Sequence, residues 1–576
     1  MLNKIQYKIC FLLLFLCGFQ NVWSQKKEEN IGTEVINVVK PYTPSVSDAF
    51  KVKEIPVLID EETSKKETIE YTIFSFPVAS TFTPSKGMAA NVDKEKEEKG
   101  FKNYFSLGLG NYSTINADLF ITENISSTEY ISANLRHLSS QGGIKNVVLD
   151  DKYFTTGLDL FYGNQEQKRT WNVDLGYKNQ IYNWYGLPEN TPITLLDEIN
   201  PQHTFHDLYI GGKIKIRDSY FNEASLRFNR FWDAQGSAEN RLNIKPSFQL
   251  DVMNEMIKTD FIVDYLGGTF ERDFSGLNTI KYGFSNFGVH PSIVVNKENW
   301  TLDLGGAIFY SLDTENAKNK LFVYPKIHAS LKVVGDLMLF YAGADGNLEQ
   351  NSYRDFVNTN PFVSPTLYVV PTDIQYDLYL GLKGKLANTI SYNLRGSYVN
   401  EKNKALFNLN SYSQSSGNED YAFGNSFGIV YDDLKTMRFF GELNTDFSKN
   451  VSFGINGTFS AYTTTFQEEA WNLPAMKLGA NLEMRITEKW NAGANLFFVG
   501  ERKDKQQEIT STTTLSEIQT LSSYFDLNLR LGYKYNNRLD GFLKLNNVAN
   551  QAYEKWLNYP VQGFQLVLGA SYKFDF

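Results

Sequence analysis

Metal binding and nucleophilic catalysis need histidine, cysteine, serine and carboxylate side chains at spacings that let them meet. This 576-residue chain has five histidines, and only His203-Thr204-Phe205-His206, followed by Asp207, has a spacing that suits a metal ion. Residues three apart on a strand point to opposite faces, so both rings reach one ion only if the chain turns there. Their place just after Pro201 favours a solvated loop. His137-Leu138-Ser139-Ser140 sets a base beside two hydroxyls, as a hydrolase would, but a third, orienting group must converge from elsewhere. The plainer reading is a strand end running into Gln141-Gly142-Gly143. Asp150-Asp151 and Asp432-Asp433 are carboxylate pairs of the kind that hold divalent cations, yet both read as solvated residues of connections. There is no G-x-S-x-G elbow, no H-E-x-x-H and no phosphate-cradling glycine loop. The expectation is a protein that is not an enzyme, with no catalytic, cofactor or metal site.

The elements that would position these groups come next. Both cysteines, Cys10 and Cys17, lie within a start that has the parts of a secretory signal: Lys4 and Lys8, an apolar run over 9–19, and Val22-Trp23-Ser24 before a cleavage point at Gln25. A mature chain beginning there has no cysteine, so its rigidity must come from something other than disulfides. Loss of the two lysines takes the net charge from −9 to −11. With no basic patch or stripe, nucleic acid is excluded as a partner. Residues 25–100 combine proline-spaced segments (Pro41-Tyr42-Thr43-Pro44, then Pro56) with charged runs over 60–70 and 93–99, and read as an extended periplasmic arm or linker.

Beyond residue 101 the pattern changes to strands of period 2. At the C-terminus Phe564, Leu566, Leu568, Ala570, Tyr572, Phe574 and Phe576 alternate with Gln565, Val567, Gly569, Ser571, Lys573 and Asp575. One face is apolar and the other largely polar. A soluble sandwich and a membrane barrel both alternate in this way, so loop lengths must discriminate. Short connections at 536–537, 487–488, 448–450, 387–388, 335–336 and 296–298 interleave with long ones near 549–563, 500–520, 463–474, 347–371, 183–203 and 139–152. Transmembrane barrels segregate short turns and long loops in this manner. The fold class is therefore all-β: a large transmembrane antiparallel β-barrel over 101–576, behind a signal peptide (1–24) and the arm (25–100). Segmentation yields 24 strands, with weak pairs around Asn111 and near 404–410, so the expectation is about 22 and an even number. Aromatics amount to 15% of the chain, and Trp232, Trp300 and Trp490 at strand ends match interfacial girdles. By parity Leu568 faces lipid and Gly569 the lumen, so an arginine should be tolerated only at the latter.

Leu545-Asn546-Asn547-Val548-Ala549-Asn550, then Tyr553, Tyr559-Pro560, Gly563 and the closing aromatic strand, resemble the end of TonB-dependent receptor barrels. Asn360-Pro361, Ser364-Pro365 and the strand after them resemble the mid-barrel of that family, and Ser523-Tyr524-Phe525-Asp526-Leu527 its antepenultimate strand. The likeness covers roughly the last 230 residues well. It implies a location in the outer membrane of a gram-negative bacterium and a role in transport across that membrane or in its organisation. It also implies outer-membrane lipid and lipopolysaccharide as surroundings, and the barrel-assembly machinery as a partner that reads the terminal Phe576 strand. The family carries a folded plug before its barrel, and 25–100 is too short and irregular to be one. Glu34-Val35-Ile36-Asn37-Val38-Val39 is TonB-box-like, a β-prone edge for strand addition by a periplasmic partner. The missing plug equally suits a scaffold barrel in an assembly or export complex, docking periplasmic or lipoprotein partners through 25–100.

Overall fold

The computed structural model describes residues 100–188, 196–197, 199–252, 255–335, 337–413, 419–509 and 514–576. The expected signal peptide, the expected arm up to residue 99 and the run 34–39 lie outside the described residues. Twenty-two antiparallel strands form one sheet that closes on itself. Each strand of the wall pairs with the next, and the first (Asn103–Gly110) pairs with the last (Gln565–Phe574), from Asn103 opposite Phe574 to Gly110 opposite Val567. Closure gives the two outermost strands partners for their backbone N–H and C=O groups, which hydrocarbon cannot supply.

The strand bounds confirm the segregation of connections. At one end, turns such as 388–389, 449–450 and 535–538 are two to four residues long; at the other, loops include 141–152, 184–201, 350–371, 410–426, 464–475, 500–523 and 547–564. Two short hairpins stand inside the last two loops, Arg502–Ile509 with Thr514–Leu521 and Glu554–Trp556 with Tyr559–Pro560. Of the weak pairs in the sequence, the one around Asn111 is real, because Asn103–Gly110 and Ile115–Asn124 pair across it. Residues 404–409 are no separate strand. They continue Ile390–Leu409 past a bulge at Glu401/Lys404, which interrupts the alternation and so mimics a boundary.

Asp432 and Asp433 do not lie in a connection. They sit within the 22-residue strand Phe427–Ser448, which runs beyond the apolar band. Asp432 there caps the next loop, accepting from the backbone N–H groups of Thr465 (3.0 Å), Phe466 (2.9 Å) and Gln467 (2.8 Å). Asp150 and Asp151 do lie in the loop 141–152, where Asp151 accepts from Gly143 N and Ile144 N. His203 and His206 belong to the strand Gln202–Ile216 rather than to a solvated loop, since pairing with both neighbours extends the sheet that far.

Exposed apolar side chains trace the outer parity: Leu135, Leu158, Leu175, Leu208, Leu226 and Ile455 on successive or later strands, and Leu566, Leu568 and Tyr572 on the last. Trp300 and Trp490 open strands and Trp232 is the penultimate residue of one. The opposite parity carries cross-strand ion pairs, Arg136–Asp159 at 2.7 Å, Arg395–Asp377 at 2.6 Å and Lys326–Asp345 at 3.0 Å. Gly569 is not the open lumen position that parity suggests. A Cβ there would collide with the Phe542 ring and the Leu107 carbonyl, so a side chain is excluded on steric grounds.

Ile455 and Asn456 test the two faces without that clash. Ile455 is 46% exposed on the outer parity and Asn456 is exposed on the inner one, side by side in Val451–Thr463. Ile455→Arg should destabilise the barrel by about 2–4 kcal/mol and Asn456→Arg by less than about 1 kcal/mol. The check is the denaturant midpoint in bilayers; equal midpoints would refute the face assignment.

Candidate functional site

The side chains with the most developed set of contacts gather at the long-loop end, inside the wall. There the inward parity stops being polar. Phe205, Phe231, Phe270, Tyr282 and Phe284 of the wall are buried together with Tyr353, Phe356, Val363 and Leu367 of the loop 350–371. Leu409, Phe427, Leu521, Trp556 and Tyr559 belong to the same cluster. Residues of three loops, 350–371, 500–523 and 547–564, thus converge with the wall on one apolar core, each buried aromatic contributing about 1.5–3 kcal/mol to the closure.

Its centre is the short helix α1 (Tyr353–Thr359), whose N-terminus is capped by Ser352 Oγ accepting from Asp355 N at 3.0 Å. Tyr353 is fully buried in a box of three edge-on rings, Phe270 (4.9 Å), Phe231 (5.2 Å) and Phe205 (6.1 Å). Three wall carboxylates then fix the helix. Tyr353 Oη donates to Asp233 at 2.8 Å, Tyr353 N donates to Glu239 at 2.7 Å, and Arg354 Nε donates to Asp207 at 2.6 Å. Arg241 bridges Asp355 of the helix to Asp264 of the wall. A face of buried aromatics ringed by charge-assisted hydrogen bonds is strong when made, and its polar members can be re-solvated.

The rest of the closure is tied across the mouth. The Tyr559 ring stacks on Phe362 at 3.9 Å and meets Tyr185 at 4.8 Å, and its hydroxyl donates to Asn425 O. Burial and the neighbouring Tyr185 raise the Tyr559 hydroxyl well above its ordinary value, so it stays a donor. Asn472, Asn408 and Leu409 N all donate to Asp504, a buried carboxylate at the base of the hairpin Arg502–Ile509.

Of the residues singled out in the sequence, His203 joins this structure and His206 does not. His203 is buried, stacks on Trp184 at 4.0 Å and donates through Nε2 to Pro361 O at 2.8 Å, fastening the loop 350–371 to the wall. His206 projects from the opposite, outer face, so the two rings do not converge. His137 does meet Ser139, Nε2 to Oγ at 3.0 Å, with Nδ1 on Thr156 Oγ1 at 2.8 Å. Ser139 is only 2% exposed, and the third member is a hydroxyl rather than a carboxylate. The trio serves to satisfy polar groups on the outer wall. Helix α1 lies inside what the sequence pattern shows only as a long connection, although Ser352-Tyr353-Arg354-Asp355 has the S-x-x-D form of a capping box.

Asp504 makes the closure sensitive to pH. Burial pushes its carboxyl up to about 6 from 3.8. A raised carboxyl binds its proton more readily in the closed form than in an opened, solvated one, so closure gains stability as pH falls through about 6 and loses it above. Exchange at the Leu409 amide, corrected for its intrinsic pH dependence, should slow between about pH 7 and about pH 5. Asp504→Asn should abolish that change. Flat exchange in the unmutated protein would refute it.

No protein-family model and no curated protein sequence matches the chain. Solved structures do. The FrpB iron transporter of Neisseria meningitidis aligns with a TM-score of 0.63 at 10% identity, over 83% of this chain and 82% of that one. The ferric-catecholate import receptor Fiu of E. coli K12 gives 0.60 at 10% identity, over 83% and 82%. The ferripyoverdine receptor of the outer membrane of Pseudomonas aeruginosa gives 0.60 at 12%, over 84% and 73%. These neighbours are transporters and receptors, and at such identities the likeness is one of fold. The chain has the closed 22-strand barrel fold of these receptors, and its resemblance to TonB-dependent receptors holds at that level.

Proposed function

We propose that this protein is a transport barrel of the gram-negative outer membrane, not an enzyme, whose outer mouth is shut by its own loops and opens to pass solute. The observation that carries this reading is the anchoring of helix α1 on Asp207, Asp233 and Glu239, above a lumen lined by paired charges. A wide polar lumen is what a hydrophilic solute needs, and carboxylate anchors can be released in water as a dry contact cannot. The fold shared with an iron transporter and siderophore receptors favours small iron-carrying molecules as the solute class. In this reading 1–24 is a signal peptide, 25–100 a periplasmic arm, and 101–576 the barrel. Residues 34–39 then offer a strand edge to an energy-coupling partner, and the apolar face from Phe564 to Phe576 is the assembly signal.

A second reading, a non-transporting scaffold barrel of an assembly or export complex, is favoured by one specific observation. The closure has a core of nineteen buried apolar side chains, more than a transient gate requires.

Conductance separates the two. Tyr353→Ala removes a fully buried ring, a loss of about 3–5 kcal/mol, and Arg354→Gln removes the ion pair to Asp207. In planar bilayers the unmutated protein should be closed, and the double variant should show large, stable conductance steps. A silent double variant that is folded by heat-modifiable gel migration would overturn transport and leave the scaffold reading.

A further inference from the structure

The inner wall is not ion-paired all the way round. Arg136, Arg227, Arg241, Arg395 and Arg530 each hold a carboxylate. Arg438 and Lys477 hold none among the described residues. Both face the lumen, since Met437, Phe439 and Leu478 beside them are exposed on the outer parity. The two converge. Arg438 stands opposite Ser460 and Lys477 opposite Thr458, two residues apart on the same face of the strand between them. That register sets their Cα atoms about 12 Å apart, within the joint reach of two long side chains, and the two charges act on each other. The carboxylates that border them are engaged elsewhere. Asp377 holds Arg395 at 2.6 Å, Glu442 accepts from Asn444 Nδ2 at 3.0 Å, and Asp526 accepts from Tyr553 Oη at 2.9 Å. Neighbouring cations without carboxylates of their own repel each other, and a wall that needed only to be wet would pair them as it pairs those arginines.

Toward the short-turn end the same sector becomes a row of amides. Asn481, Asn495 and Asn528 are directly opposite one another on three neighbouring strands of the wall, all on the inner parity, so their Cβ atoms follow at about 5 Å intervals. Among the described residues the side chains of Asn481 and Asn495 have no hydrogen-bond partner, and Asn528 Oδ1 accepts the Asn547 N–H at 3.2 Å, which leaves its Nδ2 to the lumen. Each amide brings two donors and an acceptor. The Asn481 amide lies over Gly454 of the neighbouring strand, where a Cβ would collide with it, so the glycine sets how the amide lies. Lys477 and Asn481 share one strand and one face, about 13 Å apart. Phe497, half-buried on the inner parity opposite Gly479, stands between the two levels.

We propose that this sector is a binding track for a polyhydroxylated anion of the sugar-acid class. Arg438 and Lys477 take its carboxylate, and Asn481, Asn495 and Asn528 take its hydroxyl groups. A carboxylate fits the guanidinium fork, with Lys477 as a second charge and the Thr458 and Ser460 hydroxyls beside them. Sugar hydroxyls both donate and accept, and so do amides, whereas ionised carboxylates only accept. The Phe497 ring gives the C–H side of a sugar an apolar surface. A spacing of about 13 Å between the two levels suits a solute of more than one ring, an oligomeric uronate. The cations lie on the closure side of the track, so a solute entering by the opened mouth meets the charges first and the amides next. This inference rests on the transport reading and defines the solute by its charge and hydroxyl groups, independently of any metal it carries.

The test is calorimetric titration of the full-length protein in detergent with trigalacturonate, neutral maltotriose and inorganic phosphate. Trigalacturonate should bind about tenfold more tightly than either of the others. Arg438→Gln and Lys477→Gln should each weaken it about fivefold, and joint Asn481→Ala and Asn495→Ala should weaken it about as much while leaving inorganic phosphate unchanged. Equal binding of trigalacturonate and maltotriose, equally tight phosphate, no binding at all, or an unchanged Arg438→Gln protein would each overturn the track. The comparison among probes in the unmutated protein does not depend on any variant folding. In planar bilayers, trigalacturonate should interrupt the current of the Tyr353→Ala, Arg354→Gln protein at lower concentration than maltotriose does, and Arg438→Gln should remove the difference. A silent double variant overturns transport, whereas a conducting one that both trisaccharides block alike overturns the track alone.

Discussion

Everything in this molecule depends on the pairing of its first strand with its last. Hydrocarbon offers no hydrogen bonds, so a sheet in a membrane is stable only when no edge is left, and the match between Asn103–Gly110 and Gln565–Phe574 removes the two that would remain. Side chains around the seam show how closely the two strands approach. Gly108 and Gly569 face each other across it, with Phe542 and Val567 occupying the space a Cβ would need. Asn111 seals its upper end, accepting from Leu566 N and donating to Phe564 O.

Inside that ring, the lumen has two chemistries stacked along its axis. Over most of its height the inner face carries cross-strand ion pairs in which a part-exposed arginine or lysine meets a more deeply buried carboxylate. At the long-loop end it becomes aromatic, and the loops fold inward to bury those rings. The polar part keeps the interior wet and the apolar part draws the loops down over it. A barrel of this size usually needs something in its lumen; here the chain's own loops fill the outer end.

Period-2 alternation in the sequence was enough for the wall, because a lipid-facing side and a polar side impose the same pattern on every strand. Loop lengths then separated a barrel from a sandwich. The closure was not legible, for a physical reason: at Phe205, Phe231, Tyr282 and Phe284 the inward face is apolar too, so alternation fades where the functional part begins. Period cannot tell a ring that faces lipid from one that faces a folded loop. The bulge at Glu401 produced a false strand boundary by the same route, and Asp432 was misplaced because strands outrun the membrane and keep pairing in water. Parity put Gly569 in the lumen but could not see Phe542 lying across it. His203 and His206 show both the strength and the limit of the approach: strand geometry sends them to opposite faces, but the partners waiting on each face come from loops and strands distant in sequence.

The seam also says something about time. Lys102 N donates to Asp575, and the residues either side of the seam are separated by more than 450 positions, so the contact that completes the wall is among the most distant the chain can make. Every other strand of the sheet has been made before either edge can find its partner. Until then the chain exposes alternating Leu, Phe and Tyr and two open strand edges, the combination most prone to aggregation. Such a molecule cannot mature piece by piece as it is made. Closure of the wall waits for the last strand, and any product cut short before it is a sheet with nowhere to end.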